Sequence, residues 1–490
     1  MSDIHARAKQ GIKLLLGRQV AVQILTFAGG VVLARILGPA QFGLYIISLF
    51  LVGTFALLGD FGLSSSFLQR KTELSDRDLQ VGFTLQQILT SMIVLVLFVA
   101  APLLVHLYPK APPQTVWLVR ALAFNLYLTS WRTMSAIQLE RHLNYSKLAR
   151  VEVVEALSYQ AVAVGMALSG CGVWSYVAAA LVQGVLGTVL VYRASPWPIR
   201  LAYDKAVAKD ILRYGLPFQL QTIVNSVGGW VTPLLVGSLI GPVGVGYLTW
   251  ASSNGRKPLI LTDIVMRVAF PHFSRIQDDP GEVERVLVRY LTLLLIPAGL
   301  WFSVLLTAGH PLVQWIYTSK WTPAVAALIL FAASLPFDMM CMVIGMTLNG
   351  LGRVHSSTAI VVFRNVVNIV IAIVFVPRIG FVAVPIAYLI ASVAATPLML
   401  HTLGNGALRR ISTATAWALA PLLASVLAGE LVLELTRNII MQSLTAVVVT
   451  MGSYLIVTWF TGPGWLRSSF LIKIGRRKNH NIVLTAGFSE

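Results

Sequence analysis

Apolar residues in this chain run in long continuous stretches, not in the two-residue alternation of a half-buried strand. Fourteen such stretches can be marked, at 14–37, 43–67, 81–108, 116–139, 151–169, 173–192, 214–239, 245–270, 287–308, 324–349, 357–376, 381–403, 416–435 and 442–460. A helix needs about 20 residues to cross roughly 30 Å of hydrocarbon, and each stretch comes close to or exceeds that length. A membrane barrel would show short alternating segments instead. The pattern therefore predicts an all-α polytopic membrane protein with about fourteen transmembrane helices. Composition agrees, because 57% of the 490 residues are hydrophobic and 11% are charged, against about 25% charged in a soluble domain.

Charge adds topology. Of the 37 Lys and Arg, 25 fall in the N-terminal segment, in alternate gaps near 70–77, 141–150, 193–213, 275–289, 353 and 409–410, and in the tail from Arg467 onward. The opposite gaps hold four: Lys110, Lys320, Arg378 and Arg437. Such asymmetry is what the positive-inside rule produces. It places both termini in the cytoplasm and accounts for the net charge of +18 without nucleic acid. Met1–Lys13 is polar and the first apolar run is long enough to stay as an anchor, so no cleavable signal is expected. Cys171 and Cys341 form no recognisable framework.

The chain repeats a signature. Gly38-Pro39 followed by Gly43 opens the second stretch, and Gly241-Pro242 followed by Gly246 opens the eighth, 203 residues later. The same offset carries Asp60 onto Asp263 and Phe67 onto Phe270. Six stretches separate the copies, so both have one orientation. Parallel repeats of this kind place a transport site at the repeat interface. The expected organisation is an N-lobe over 1–195 with spans 1–6 and a cytoplasmic linker over 196–213. A C-lobe over 214–403 with spans 7–12 follows, then spans 13–14 and a basic cytoplasmic tail over 404–490. The gaps on the outer side are short, leaving no room for a separate extramembrane domain.

Eight cations lie inside the stretches. Arg18, Arg35, Arg120 and Arg267 sit within one or two turns of an end, where a long side chain snorkels to the headgroups. Arg132, Arg256 and Arg364 are deeper; a charge there costs roughly 2.5–3.5 kcal/mol on insertion scales and should face protein or water. Lys257 adjoins Arg256 and precedes Pro258, which can kink the span. These four are the candidate cationic cavity, suited to an anion such as phosphate or pyrophosphate because Arg offers a planar fork to its oxygens. Among the acids, Asp60, Asp263 and Asp338 are gate or ion-coupling candidates, with Arg267 one turn from Asp263. Arg256, Asp263 and Arg267 share a helix face at i, i+7, i+11, and Asp263 with Arg267 could equally be a neutralising i, i+4 ion pair. Asp338, beside Pro336, is expected to have no partner on its own helix.

Enzyme chemistry is not in evidence. The eight histidines show no HExxH or paired-ligand spacing, and neither a P-loop nor a G-x-S-x-G elbow is present. No cofactor and no metal site are expected. The small-ion role left open is coupling to H+ or Na+ through intramembrane carboxylates.

Ala34-Arg35-Ile36-Leu37-Gly38-Pro39, Phe42-Gly43-Leu44-Tyr45 and Gly59-Asp60-Phe61-Gly62-Leu63 resemble the Wzx-like polysaccharide-transporter branch of the MOP flippase superfamily. So do Cys171-Gly172-Val173-Trp174, Phe270-Pro271-His272-Phe273-Ser274-Arg275, Trp321-Thr322-Pro323-Ala324 and Gly350-Leu351-Gly352-Arg353. The resemblance covers spans 1–12 in order. It implies flipping of undecaprenyl-pyrophosphate-linked repeat units from the cytoplasmic to the periplasmic leaflet of a bacterial inner membrane, by alternating access. The products would be capsule, O-antigen or exopolysaccharide. It also implies partners: the lipid-linked oligosaccharide, membrane lipids and polysaccharide polymerase or assembly proteins. The chain departs from many relatives at Gly229-Trp230-Val231-Thr232, which lacks their acid in span 7. The rival readings are a cation-coupled multidrug exporter of the same superfamily and a membrane-embedded polysaccharide polymerase or glycosyltransferase. An excess of deep Arg disfavours the first, and short outer gaps disfavour the second.

Overall fold

The computed structural model describes residues 22–57, 62–70, 72–211, 213, 219, 226–404, 407–436 and 438–466. Asp60, Arg18 and the basic residues after 467 lie outside them, and of Asp263 and Arg267 only the backbone is described. Every regular element is helical. Among the described residues nine helical stretches are long and apolar enough to cross a membrane. One of these, Val354–Thr402, holds two helices, Val354–Ile379 and Ala383–Thr402, joined by a short turn.

Start signals fix where helices begin. Pro39 and Pro242 open the Pro39–Ala56 and Pro242–Gly255 helices, since a proline at the first position loses no helical hydrogen bond. Ser75 caps the Asp76–His106 helix through a reciprocal box with Asp78, which satisfies two otherwise orphaned donors. Arg70 pairs with Asp78 at 2.8 Å, and Arg141 donates to the carbonyls of Phe67, Arg70 and Thr72.

Three stretches expected as single spans are broken. Residues 43–67 become Pro39–Ala56 and Leu63–Gln69. Residues 116–139 become Thr115–Ser130 and Thr133–Arg141. There the Thr129 and Ser130 hydroxyls donate back to the carbonyls of Asn125, Leu126 and Tyr127, competing with the backbone ladder. Residues 245–270 become Pro242–Gly255 and Leu259–Arg275, parted at Arg256-Lys257-Pro258. Pro258 lacks the N–H that would continue the helix. The Leu259 amide, which would otherwise reach the Gly255 carbonyl, turns to that of Arg256, and the Trp301 indole donates to the Gly255 carbonyl at 3.1 Å instead, a repair of the kind a chain in lipid needs.

Compactness divides the chain into two units. The first holds residues up to Ala251 with Ile316–Ala324 and Ile369–Val384. One core within it joins Phe83, Trp197, Phe67 and Met134, with Trp131 packed on it. Elsewhere in this unit the two Gly-Pro motifs meet. A Cβ at Gly43 would overlap the Pro242 carbonyl, and one at Gly246 would overlap the Pro39 carbonyl. Trp321 lies beside this crossing, donating its indole N–H to the Ala34 carbonyl at 2.8 Å. Tyr45 stacks on Tyr176 at 4.8 Å, while Tyr247 packs on Phe381 at 5.4 Å.

The second unit holds Ser252–Trp315, Val325–Asn368 and the residues from Pro385 onward. Its long Pro280–Tyr317 helix is met by the Leu419–Leu435 and Ile439–Thr461 pair through Thr307, Gly429 and Thr450. Small and hydroxyl side chains at that contact let the helices approach closely.

Candidate functional site

The second unit gathers a charge cluster from four chain segments. Arg256 stands at the break after Gly255, Asp338 on Val325–Gly350, Arg364 on Val354–Ile379, and Tyr388 with Ser392 on Ala383–Thr402. Asp338 is 1% exposed, and a carboxylate so buried requires both hydrogen bonds and a counter-charge. Ser392 donates to its Oδ1 at 2.7 Å, and the Ser334 hydroxyl, one turn earlier on its own helix, shares its proton between the Phe331 carbonyl at 2.8 Å and Asp338 Oδ2 at 3.1 Å. Arg256 Nη2 approaches Oδ2 at 3.4 Å and Arg364 Nη1 approaches Oδ1 at 3.6 Å.

Those two ionic contacts are long. Charge-assisted N–H···O bonds fall at about 2.7–2.9 Å, so the hydroxyls anchor the carboxylate and the guanidiniums rest against it. The same Nη2 of Arg256 donates to the Tyr388 hydroxyl at 2.6 Å, with the guanidinium 4.5 Å from the ring. The Arg364 guanidinium is 5.9 Å from the same ring. A tyrosine face attracts cations in this way. The Nε atoms of both arginines are buried without a hydrogen-bond partner. Two guanidiniums against one carboxylate leave a formal surplus of one positive charge. The Arg side chains are 25% and 20% exposed, the carboxylate hardly at all.

Arg132 lies in the first unit. It sits at the break before Thr133 and forms an ion pair with Glu155 of the Tyr145–Leu168 helix. Gly187 makes room for the pair, since a Cβ there would come within 2.8 Å of Arg132 Nη1 and overlap the Glu155 carboxylate. One cation and one anion give no surplus. Amides surround it: Gln87 donates to Ser130 and Gln86 to Thr133, both at 2.9 Å.

Of the residues singled out in the sequence, Arg256, Asp338 and Arg364 come together. Lys257 is half-buried at the same break, and Arg132 belongs to a separate neutral pair. Asp60 is outside the described residues, and the side chains of Asp263 and Arg267 are not described, so their gate or coupling role stays a proposal. Sequence reasoning passed over Tyr388, Ser334 and Ser392. The i, i+4 spacings Ser334–Asp338 and Tyr388–Ser392 were visible signals of shared helix faces. A further cavity of about 340 Å³ in the second unit is lined by Asp278, Glu284, Arg353 and Arg410 among apolar side chains. Arg410 is spent on Glu284 at 2.9 Å and Arg353 on the Thr402 carbonyl at 2.7 Å. Among the described residues no cluster of His, Cys, Asp and Glu could hold a metal ion.

A family model described as polysaccharide biosynthesis protein matches residues 32–326, more than half of the chain. The chain is similar to the lipopolysaccharide biosynthesis protein WzxC of Escherichia coli strain K12, 24% identical over 378 residues and 75% of each chain. It is also similar to the succinoglycan biosynthesis transport protein ExoT of Rhizobium meliloti, 24% identical over 339 residues, covering 67% of this chain and 66% of the relative. Among solved structures, the fold resembles that of the lipid II flippase MurJ in an inward closed conformation. The TM-score is 0.76 at 17% identity, over 94% of this chain and all of that one. So low an identity carries the fold alone.

Proposed function

The chain belongs to the polysaccharide biosynthesis protein family, and from that premise we propose that it flips a lipid-linked oligosaccharide across the membrane. Its cargo is an undecaprenyl-pyrophosphate-linked repeat unit for capsule, O-antigen or exopolysaccharide assembly. It moves the cargo from the cytoplasmic to the periplasmic leaflet of the inner membrane by alternating access, with both termini in the cytoplasm. The names of WzxC, a lipopolysaccharide biosynthesis protein, and ExoT, a succinoglycan biosynthesis transport protein, support a polysaccharide cargo.

One observation carries the reading: the surplus positive charge where Arg256 and Arg364 flank Asp338. A pyrophosphate brings several negative oxygens, and two planar forks that keep unsatisfied donors suit them. In this reading Arg256 and Arg364 hold the pyrophosphate, Lys257 adds charge beside them, and the polyprenyl tail stays in lipid. A cation exporter would meet repulsion at the same place.

The test is leaflet exchange in reconstituted vesicles, run with imposed pH and Na+ gradients. A fluorescent polyprenyl-pyrophosphate oligosaccharide should exchange while a lipophilic organic cation does not. Exchange of the cation alone would replace this reading with the exporter.

A further inference from the structure

Asp338 is a peculiar neighbour for an anion site, because a fixed carboxylate competes with any anion for Arg256 and Arg364. Its geometry gives the competition a definite form. The carboxylate is fastened by Ser392 at 2.7 Å and Ser334 at 3.1 Å, whereas the guanidiniums stand off at 3.4 and 3.6 Å. The anchor belongs to the protein; the arginine contacts are loose. Each arginine also keeps a buried Nε with no acceptor, and leaving such a donor unmade costs about 1–3 kcal/mol. An anion that presents several oxygens gains those donors. A single carboxylate or monoanion only repeats what Asp338 already supplies.

We infer that Asp338 is a resident counter-anion, a positioning residue that holds Arg256 and Arg364 when no cargo is bound. It confines binding to multiply charged headgroups and drives their release by reclaiming the arginines. This rests on the flippase reading and names how that site selects its ligand. It also accounts for the buried acid without giving it contact with the cargo. Tyr388 keeps Arg256 in place during the exchange, since its hydroxyl accepts from the guanidinium and its ring lies against it.

The inference assigns opposite signs to two substitutions. Asp338→Asn keeps the size and an oxygen for the Ser392 hydroxyl but removes the competing charge. Ser392→Ala keeps the charge but removes its shortest anchor, letting the carboxylate settle onto the arginines. Binding is measured on the purified full-length protein with inorganic pyrophosphate and with acetate as probes. Transport of the fluorescent cargo is measured in vesicles across cargo concentrations.

Wild type should prefer pyrophosphate over acetate. Asp338→Asn should bind both probes more tightly, acetate by roughly tenfold, the worth of one charged contact, so that the preference narrows. Its transport should show a lower KM together with a lower maximal rate, and Asp338→Glu should restore both toward wild type. Ser392→Ala should raise KM. A merely structural role moves both variants in one direction and leaves the preference unchanged, and that result overturns the inference. Failure of folded wild type to bind pyrophosphate overturns it as well. Should Asp338→Asn not fold, the sign of the Ser392→Ala effect still decides. Pyrophosphate binding with the expected selectivity but no cargo exchange upholds this inference and removes the flippase reading.

Discussion

Gly43 and Gly246, the closing residues of two Gly-Pro-x-x-x-Gly motifs 203 positions apart, lie backbone against backbone. A Cβ on Gly43 would stand 2.9 Å from the Gly246 amide nitrogen, and one on Gly246 would stand 3.3 Å from the Gly43 amide nitrogen. The contact is reciprocal, with each motif's proline carbonyl facing the other motif's glycine.

Gly43→Ala and Gly246→Ala should therefore each destabilise the protein by ~1–3 kcal/mol, the usual cost of overpacking. Gly30→Ala, where nothing lies within 4 Å of an added Cβ, serves as control and should cost nothing. Thermal unfolding of the purified protein in detergent separates the three. An unchanged Tm in the first two would mean that the helices part freely here.

Arg132 and Glu155 should behave as a closed pair. Removing either alone leaves a charge at membrane depth, at a cost of about 1–3 kcal/mol, whereas replacing both by Met should recover most of the loss. A double-mutant cycle on thermal stability measures the coupling. Because the pair is neutral, pyrophosphate binding should be much less sensitive to Arg132→Met than to Arg256→Ala. Equal sensitivity would draw Arg132 back into the cargo site.

The turn at Asp204, in the stretch expected as a cytoplasmic linker, offers a pH-dependent element. Asp204 accepts from the Ala206 and Val207 amides at 2.9 and 3.4 Å, and these bonds, helped by Arg77, hold its carboxyl below the usual range. A lowered folded pKa stabilises above the unfolded value of about 3.9 and loses that effect as pH falls through the folded one. Protection of the Ala206 and Val207 amides, taken relative to their intrinsic exchange rates, should persist at neutral pH and fall only in strong acid. Asp204→Ala should lower it at neutral pH and make no difference in strong acid.

Much of this was legible in the sequence, for identifiable reasons. Helix starts at Pro39, Pro242 and Ser75 are written in local chemistry that needs no tertiary context. Pro258 announced the break beside Arg256. The break at Arg132 was hidden, because Thr129 and Ser130 are tolerated inside helices, where hydroxyls such as those of Ser303 and Thr307 turn back on carbonyls without a break. Depth in the sequence marked Arg132, Arg256 and Arg364 alike as costly charges. Which of them share a carboxylate depends on helix packing, and linear spacing carries no record that Asp338 would meet Arg256 and Arg364 while Arg132 met Glu155. The hydroxyls and the ring that complete the cluster, Ser334, Ser392 and Tyr388, were too ordinary in an apolar run to stand out.

The central claim is that Arg256 and Arg364 carry the anionic headgroup. Its most direct test is the rate of leaflet exchange of a polyprenyl-pyrophosphate oligosaccharide by Arg256→Ala and Arg364→Ala, each verified as folded, beside wild type. The account predicts at least a roughly tenfold loss in each, the equivalent of one charged contact. Arg256→Lys should be only partly active, because a point charge cannot replace a planar fork. Exchange at the wild-type rate in either alanine variant would contradict it.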